Sequence, residues 1–411
     1  MKAIPEDRNH LGTTQGSLSV AKIAGKRADN AARPRVLQVF GEQLLERPSN
    51  PVECERMVTK ACPAGGFEDA VRARRGVRGP PAVARRRTSS RWQQAPRQTK
   101  LSPMQATEFF LTASDGVRIF VRRWLPEQSP RAAIQLVHGL AEHSARYAGL
   151  ATALTAKGYA VYAHDLRGHG RTAPEAELGY FAARDGWQTC ISDVLGLNRA
   201  IAVELPGAPI GLLGHSMGSF LAQQFIAEHG NSLFAVVLSA SNGRPPPIAA
   251  LGRLIARVEL LRLGPRGKSP LLQQLMFGEF NKRFKPARTA FDWLSRDASE
   301  VDRYIADPLC GFEFTVRLAV DLLDALGPLL SPSNIARIPK RLPILVLSGA
   351  QDPVGSNLQN LIETYRAAAL NVTTRLYEGG RHEMLHETNR AEVASDIAAW
   401  FDATLALRAS G

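Results

Sequence analysis

The chain has 411 residues, of which 45% are apolar, and its 51 Lys and Arg residues outnumber its 38 Asp and Glu residues. This apolar content excludes a wholly disordered chain, which would bury too little surface to offset the loss of chain entropy. No run approaches the roughly 18 apolar residues of a membrane span, and the charged first 25 residues are not typical of a secretory signal. The four cysteines show no Cys-x-x-Cys pairing and fit a reducing compartment, so we predict a cytoplasmic protein.

The positive charge is concentrated in the first quarter of the chain. Residues 1–100 hold 20 basic and 9 acidic residues, whereas the remaining residues carry a net charge of only +2. Apolar periodicity is weak here, so we predict that residues 1–103 form a basic, largely disordered extension. Three interpretations stay open: an arm that binds nucleic acid or anionic lipid, a passive solvated tail, or an over-extended reading frame. Because no aromatic platform or folded basic module accompanies the arginines, we expect no nucleic-acid partner.

From residue 106 onward, strand patterns alternate with helix patterns. The predicted strands cover residues 106–112, 117–124, 132–137, 159–164, 209–213, 234–239, 343–347 and 372–377. The predicted helices cover residues 144–157, 186–204, 217–229, 357–369 and 390–405. Strands that alternate with helices predict an α/β fold, with a mostly parallel sheet covered by helices on both faces.

About 100 residues separate the strand at 234–239 from the strand at 343–347, and they show helical patterns without a clear strand. The helical pieces are predicted at residues 248–263, 269–284, 290–296 and 312–326. A helical block between two strands predicts an inserted cap at about residues 243–335, within an α/β domain at residues 104–408. The apolar, arginine-containing helix 248–263 is suited to cover an acyl chain or touch a membrane surface transiently, or it packs on the core.

The segment Gly214-His215-Ser216-Met217-Gly218 matches the pattern G-x-S-x-G and lies between a predicted strand and a predicted helix. The chemistry needs small residues on either side of the serine, because the chain must turn sharply there. A serine hydroxyl also needs a base, and His382 follows the last predicted strand. Asp352 follows the strand before it, which completes the chain order Ser, Asp, His of α/β-hydrolases. We therefore predict Ser216 as nucleophile, His382 as base and Asp352 as the acid that orients it.

Acyl transfer also needs donors for the oxyanion. We predict the backbone N–H of Met217, at the start of a helix, as one donor. The loop after the third strand should supply the other, for which we choose the N–H of Leu140. His138 and His143 flank that loop, and we expect their hydrogen bonds to shape it rather than to act in catalysis.

Five segments in order resemble one known family. They are His138-Gly139-Leu140-Ala141-Glu142-His143-Ser144, Asp165-Leu166-Arg167-Gly168-His169-Gly170, the G-x-S-x-G segment, Asp292-Trp293-Leu294-Ser295-Arg296-Asp297 and Glu300-Val301-Asp302-Arg303-Tyr304. Over about residues 105–406 the chain resembles the monoacylglycerol lipase/lysophospholipase family. The resemblance implies an α/β-hydrolase with an inserted helical cap that hydrolyses acyl esters of glycerol or glycerophospholipids without a metal or cofactor. It also implies the same nucleophile, acid and base: Ser216, Asp352 and His382.

Several alternatives remain at this stage. His382-Glu383-Met384-Leu385-His386 is an H-E-x-x-H string, which on a helix would bind zinc. The glycines directly before it disfavour the long helix that this chemistry needs, so we predict no metal site there. A serine peptidase or an acyltransferase would use the same three residues, and a non-catalytic binding protein would retain the same fold. The sequence indicates no oligomeric state.

Overall fold

One sheet of eight strands forms the centre of the computed structural model, which describes residues 106–409. The strand order is β1-β2-β4-β3-β5-β6-β7-β8; β2 runs antiparallel to β1 and β4, and every other pair is parallel. The strands are β1 Thr107–Thr112, β2 Arg118–Trp124, β3 Ala132–Val137, β4 Tyr159–His164, β5 Ile210–His215, β6 Ala235–Ser239, β7 Ile344–Gly349 and β8 Val372–Tyr377. The mostly parallel sheet confirms the predicted fold class, while the predictions for residues 1–103 lie outside the described residues.

Ten α-helices accompany the sheet. They are α1 Ala148–Thr155, α2 Gly186–Glu204, α3 Met217–His229, α4 Ala249–Leu263, α5 Pro270–Phe277, α6 Ala298–Ala306, α7 Val316–Leu329, α8 Pro332–Arg337, α9 Leu358–Ala367 and α10 Arg390–Ala409. Within residues 106–409 no helix is both long enough and apolar enough to cross a bilayer.

Apolar cores lie on both faces of the sheet, because successive side chains of a strand point to opposite faces. In β3, Ala133 and Val137 join the core beneath α2, α3 and α9. Ile134 and Leu136 of the same strand join the core beneath α1 and α10. The central strands β3 to β7 are buried along their whole length, as expected for strands covered on both faces.

The chain between β6 and β7 forms a helical insertion, here meaning residues 240–343, and it contains α4 to α8. Apart from one isolated bridge between Lys268 and Thr315, it contributes no strand to the described structure. Side-chain caps set several helix starts: Ser269 accepts from the Leu272 N–H, and Thr315 accepts from the Leu318 N–H.

Three predicted helices of the insertion need correction. Residues 290–296 form turns, not a helix; the neighbouring helix is α6, which was not predicted and begins where Asp297 caps the Ser299 N–H. Residues 312–315 are likewise not helical, and α7 begins only after Thr315. Residues 269–284 split into α5 and a 3-10 turn at Phe280–Phe284, separated by Gly278. The short helix α8 was also missed.

Candidate active site

Ser216 lies on the sharp turn between β5 and α3. Its backbone has φ 51° and ψ −119°, a strained conformation for a residue with a side chain. A Cβ on Gly214 would lie 2.3 Å from the Gly218 carbonyl oxygen, and one on Gly218 would lie 2.2 Å from the Val137 carbonyl oxygen. The two glycines are therefore required, because a side chain at either position would collide with a carbonyl oxygen. This is the steric reason for the small residues that the sequence pattern predicts.

The three residues predicted for catalysis lie together at the carboxyl edge of the sheet. Ser216 directly follows β5, Asp352 follows β7 and His382 follows β8. Because these strands are parallel, all three residues lie at one edge of the sheet. His382 Nε2 lies 2.9 Å from Ser216 Oγ, and His382 Nδ1 lies 2.9 Å from Asp352 Oδ1. Because an ionised carboxylate can only accept, Nδ1 carries the proton and Nε2 accepts the Ser216 hydroxyl proton.

Burial and charge compete at this pair. Burial acts to lower the pKa of His382, but the charge of Asp352 and its hydrogen bond outweigh burial, so the pKa lies above 6.5. Burial acts to raise the pKa of Asp352, but the His382 charge and the Ser348 hydroxyl hold it below 3.8. Asp352 is therefore ionised at neutral pH, and it favours the protonated imidazolium that proton abstraction from serine creates.

Two backbone N–H groups are predicted as donors to the oxyanion. Leu140 and Met217 both line the cavity around Ser216, and neither N–H donates to another group within residues 106–409. Close approach of the Leu140 loop depends on Gly139, where a Cβ would lie 3.2 Å from Ser216 Cβ. Met217 is the first residue of α3, so the helix dipole adds to its N–H. The arrangement has the composition of an oxyanion hole.

The insertion holds the Leu140 loop, which the sequence did not predict. The Ala141 carbonyl accepts from the Tyr304 hydroxyl and from the Gly311 N–H, both at 2.9 Å. Ala141 itself has a positive φ of 56°. On the other side of the loop, His138 Nε2 accepts from the Leu166 N–H at 2.9 Å. These contacts hold the loop that carries the Leu140 N–H.

A buried ion-pair cluster lies beneath the same loop. Arg146 donates to Glu383 at 2.6 and 2.7 Å and to Glu142 at 2.8 Å. Burial acts to raise the pKa of both carboxyl groups, but the Arg146 charge lowers both below their usual range. Glu383 and His386 belong to the H-E-x-x-H string, yet the chain there forms only a 3-10 turn at Met384–His386. The long helix that zinc ligation at this spacing requires is not formed.

A second part of the insertion holds the His382 loop. The Glu383 N–H donates to the Leu294 carbonyl at 2.8 Å, and the Trp293 ring lies 5.0 Å from the His382 ring. Arg381 donates to the Ser295 carbonyl at 3.1 Å. The sequence offered one signal for these contacts, the Asp292–Asp297 segment that was quoted for the family resemblance. Nothing in the sequence next to His382 indicates that this segment is its partner.

A cavity of about 900 Å³ opens onto Ser216, His382 and the Leu140 loop. Its walls come from the sheet edge and from α4, α5 and α7 of the insertion, and they are mostly apolar. The wall carboxylates are Glu142, Glu313 and Glu383, and among the described residues that line the cavity none is Lys or Arg. Its size falls in the range of about 300–1,000 Å³ that is typical of small-molecule sites.

The chain matches known proteins over most of its described residues. A family model described as "Serine aminopeptidase, S33" matches residues 128–389. Human monoglyceride lipase is 31% identical over 297 residues, covering 71% of this chain and 88% of the relative. Monoacylglycerol lipase of Mycolicibacterium smegmatis is 28% identical over 294 residues, covering 69% and 93% respectively. Among solved structures, a carboxyl esterase from Bacillus coagulans in complex with glycerol has a TM-score of 0.68 at 25% identity, covering 74% of this chain and 99% of the esterase.

Fold, site and relatives together define a serine ester hydrolase of the α/β-hydrolase fold. More narrowly, the chain belongs to the monoacylglycerol lipase family of α/β-hydrolases. These matches confirm the family resemblance found in the sequence. It is thus a carboxylic ester hydrolase.

Proposed function

We propose that this protein releases fatty acid from a monoacylglycerol, with Ser216 as nucleophile, His382 as base and Asp352 as orienting acid. One observation carries the proposal: the Ser216–His382–Asp352 chain, with both contacts at 2.9 Å, opens onto a large apolar cavity without a cationic wall. The two lipases reported above are named for monoglyceride and for monoacylglycerol, which supports the same substrate class.

The reaction proceeds through an acyl-enzyme. Ser216 Oγ bonds to the acyl carbon while its proton passes to His382 Nε2, and the Leu140 and Met217 N–H groups bind the oxyanion. The C–O bond to glycerol then breaks, and the glycerol oxygen takes the proton from His382. Water repeats the sequence with His382 as base, and fatty acid and free Ser216 result.

The charge of the cavity favours a neutral head group over a phosphate. A lysophospholipid would bring an anionic phosphate next to walls that carry Glu142 and Glu383 and no lining Lys or Arg. Arg146 is engaged by those two carboxylates. Hydroxyl groups of a glycerol can instead donate hydrogen bonds to carboxylates. We therefore expect lysophospholipids to be poorer substrates than monoacylglycerols.

We also propose that the insertion forms the cap predicted at about residues 243–335, and that this cap touches a membrane surface. Four apolar residues of α4 at helical spacing lie on one exposed face: Leu251, Leu254, Val258 and Leu261, exposed by 51%, 58%, 54% and 89%. That face is not packed on the core, and Leu251 also lines the cavity. An exposed apolar face at the cavity entrance would let a lipid pass from a bilayer into the site. A cytoplasmic location stays a prediction.

The substrate proposal is tested by fatty-acid release from 1-monooleoylglycerol and from lysophosphatidylcholine, with an amino-acid anilide as the peptidase substrate. We expect the glyceride to give the highest kcat/KM and Ser216→Ala to be inactive on all three. Preference for lysophosphatidylcholine would replace the head-group assignment. Preference for the anilide would favour the peptidase that the family description names. Failure of a fluorophosphonate probe to label Ser216 would overturn the nucleophile itself.

Membrane contact is tested separately by co-sedimentation with phosphatidylcholine vesicles. Leu254→Glu combined with Val258→Glu should reduce the bound fraction, because each charge replaces an exposed apolar side chain on the α4 face. Val203→Glu is the matched control, since Val203 is 81% exposed but belongs to α2. Equal binding of the α4 variant and the unchanged protein would reject the proposed surface.

A further inference from the structure

A second cavity, of about 680 Å³, is lined by residues that directly follow the Leu140 loop and by residues of the insertion, and Ser216 does not line it. Three residues with different metal-binding atoms line it: His143, Asp307 and Cys310. Their ligand atoms all lie within 4.8 Å of one another. None of the three belongs to the proposed nucleophile, base or acid. We propose that they form a binding site for Zn²⁺ that bridges the Leu140 loop and the insertion.

The site is already partly assembled. His143 Nε2 lies 2.9 Å from Asp307 Oδ2. The other carboxylate oxygen, Oδ1, accepts from the Leu309 N–H at 2.9 Å, so the side chain is oriented with Oδ2 toward the histidine. Donors of a tetrahedral Zn²⁺ ion lie roughly 3.3–3.8 Å apart, given bond lengths of about 2.0–2.3 Å. Each donor therefore has to move by less than about 1 Å.

The donor set selects the metal. A thiolate and an imidazole favour Zn²⁺ or Co²⁺, whereas Mg²⁺ and Ca²⁺ prefer sites made of oxygen alone. Three protein ligands leave the fourth position of the ion for a water molecule in the cavity. Binding releases the Cys310 thiol proton to solvent and moves the His143 proton from Nε2 to Nδ1, so that Nε2 can bind the ion. A sulfur–zinc bond forms, with no change in oxidation state.

Charge in the cavity also suits a cation. Each arginine that lines it has its own carboxylate partners: Glu142 and Glu383 for Arg146, Glu300 for Arg303, and Asp297 for Arg390. Asp307 forms no ion pair with an arginine or lysine among residues 106–409. Its charge therefore remains available. His386 lines the same cavity with a buried Nε2 that has no hydrogen-bond partner within the described chain.

Occupation would act on the neighbouring loop. The Gly311 N–H, directly after Cys310, donates to the Ala141 carbonyl at 2.9 Å, and His143 lies two residues beyond Ala141. Rearrangement of the three donors around an ion therefore displaces the part of the loop that directly follows the Leu140 N–H. A displacement of about 1 Å at a catalytic group can reduce turnover up to about 100-fold. We expect Zn²⁺ to lower kcat by about 10-fold or more, reversibly with a chelator; this effect rests on the proposed function, but metal binding does not.

Binding is measured on the full chain carrying Cys54→Ser and Cys62→Ser, which removes the two cysteines outside the described residues. Zn²⁺ affinity is obtained by competition with a chromophoric chelator, and CoCl₂ reports a thiolate-to-cobalt charge-transfer band. We expect one ion per chain, loss of the cobalt band in Cys310→Ser, and affinity weaker by about 10–100-fold or more in Asp307→Asn. MgCl₂ should not displace Zn²⁺.

Matched variants separate this site from others. Asp302→Asn, on the exposed side of α6, should bind Zn²⁺ like the parent chain. His382→Gln should also retain Zn²⁺, since the proposed base is not a ligand. Unchanged affinity in Cys310→Ser, or loss of binding in His382→Gln alone, would overturn the proposal. Because no substrate is needed, this result is independent of whether the chain hydrolyses monoacylglycerol.

Discussion

The sheet edge and the outer surface of the insertion hold their side chains in different ways. At the edge, His382 and Asp352 are exposed by 3% and 4% and are tied to one another by a hydrogen bond. On α4, the side chains of Leu254 and Leu261 are exposed by 58% and 89%, so most of their surface faces solvent. The inner part of the insertion is different again, since Tyr304 and Leu294 are buried and hold the catalytic loops. The proposed reaction thus depends on a preorganised interior, whereas the proposed membrane contact depends on an exposed apolar surface.

The largest effect tests the interior directly. Ser216→Ala should lower kcat by about 10⁴–10⁶-fold, because the acyl-enzyme bond can no longer form. Ser192→Ala, an exposed serine on α2, is the control and should hydrolyse 1-monooleoylglycerol like the unchanged protein. Activity that survives in Ser216→Ala would show that the sheet edge does not carry the reaction.

Asp352→Asn should lower kcat by about 10⁴-fold, since the imidazole loses the partner that fixes its tautomer. The pH profile adds a second measure. His382 must be neutral to act as base, and Asp352 raises its pKa above 6.5, so activity should rise with pH through an inflection above 6.5. The variant should show its inflection at lower pH. An inflection that does not move would mean that another group controls the profile.

Buried ion pairs of the interior and exposed ion pairs of the insertion should differ in their contribution to the free energy of unfolding. Arg146→Met leaves two buried carboxylates without a counter-charge and should lower the free energy of unfolding by about 3–5 kcal/mol. Arg257→Met breaks the exposed pair with Asp324 and should cost about 0–1 kcal/mol. Urea unfolding of both variants measures the difference. Addition of Glu383→Gln to Arg146→Met should restore part of the loss, and equal costs in the two regions would contradict the comparison.

Acid should destabilise the interior. Burial lowers the pKa of five histidines below 6.5: to about 3 for His164 and His169, to about 4 for His215, and downward for His138 and His386. The unfolded chain binds more protons at these groups, so their contribution is complete above about pH 6.5 and is lost as pH falls. His382, whose pKa is raised, works in the opposite sense, and its contribution is lost as pH rises. Unfolding free energies between about pH 5 and 8 should therefore fall toward acid; a flat profile would contradict this account.

Local chemistry explains where sequence-based prediction succeeded and where it failed. Ser216 was predictable because the flanking glycines are required by a turn of five residues. The helix predicted at residues 290–296 was wrong, although Phe291 and Leu294 are three residues apart, as on one face of a helix. There, Asp292 accepts from the Thr289 hydroxyl at 2.5 Å and from the Arg288 N–H, so side chains replace the helical bonds of the backbone.

By itself, the sequence determined the order of the strands and of the helices outside the insertion, the fold class, and the choice of Ser216, Asp352 and His382. Each of these follows from short patterns and from the rule that parallel strands end at one edge. Only the tertiary structure decided the rest. Arg146 pairs with Glu383 across 237 positions of sequence, and Tyr304 binds the Ala141 carbonyl across 163 positions. Such contacts depend on where the insertion folds back onto the sheet, and the same fold decides which face of α4 stays exposed.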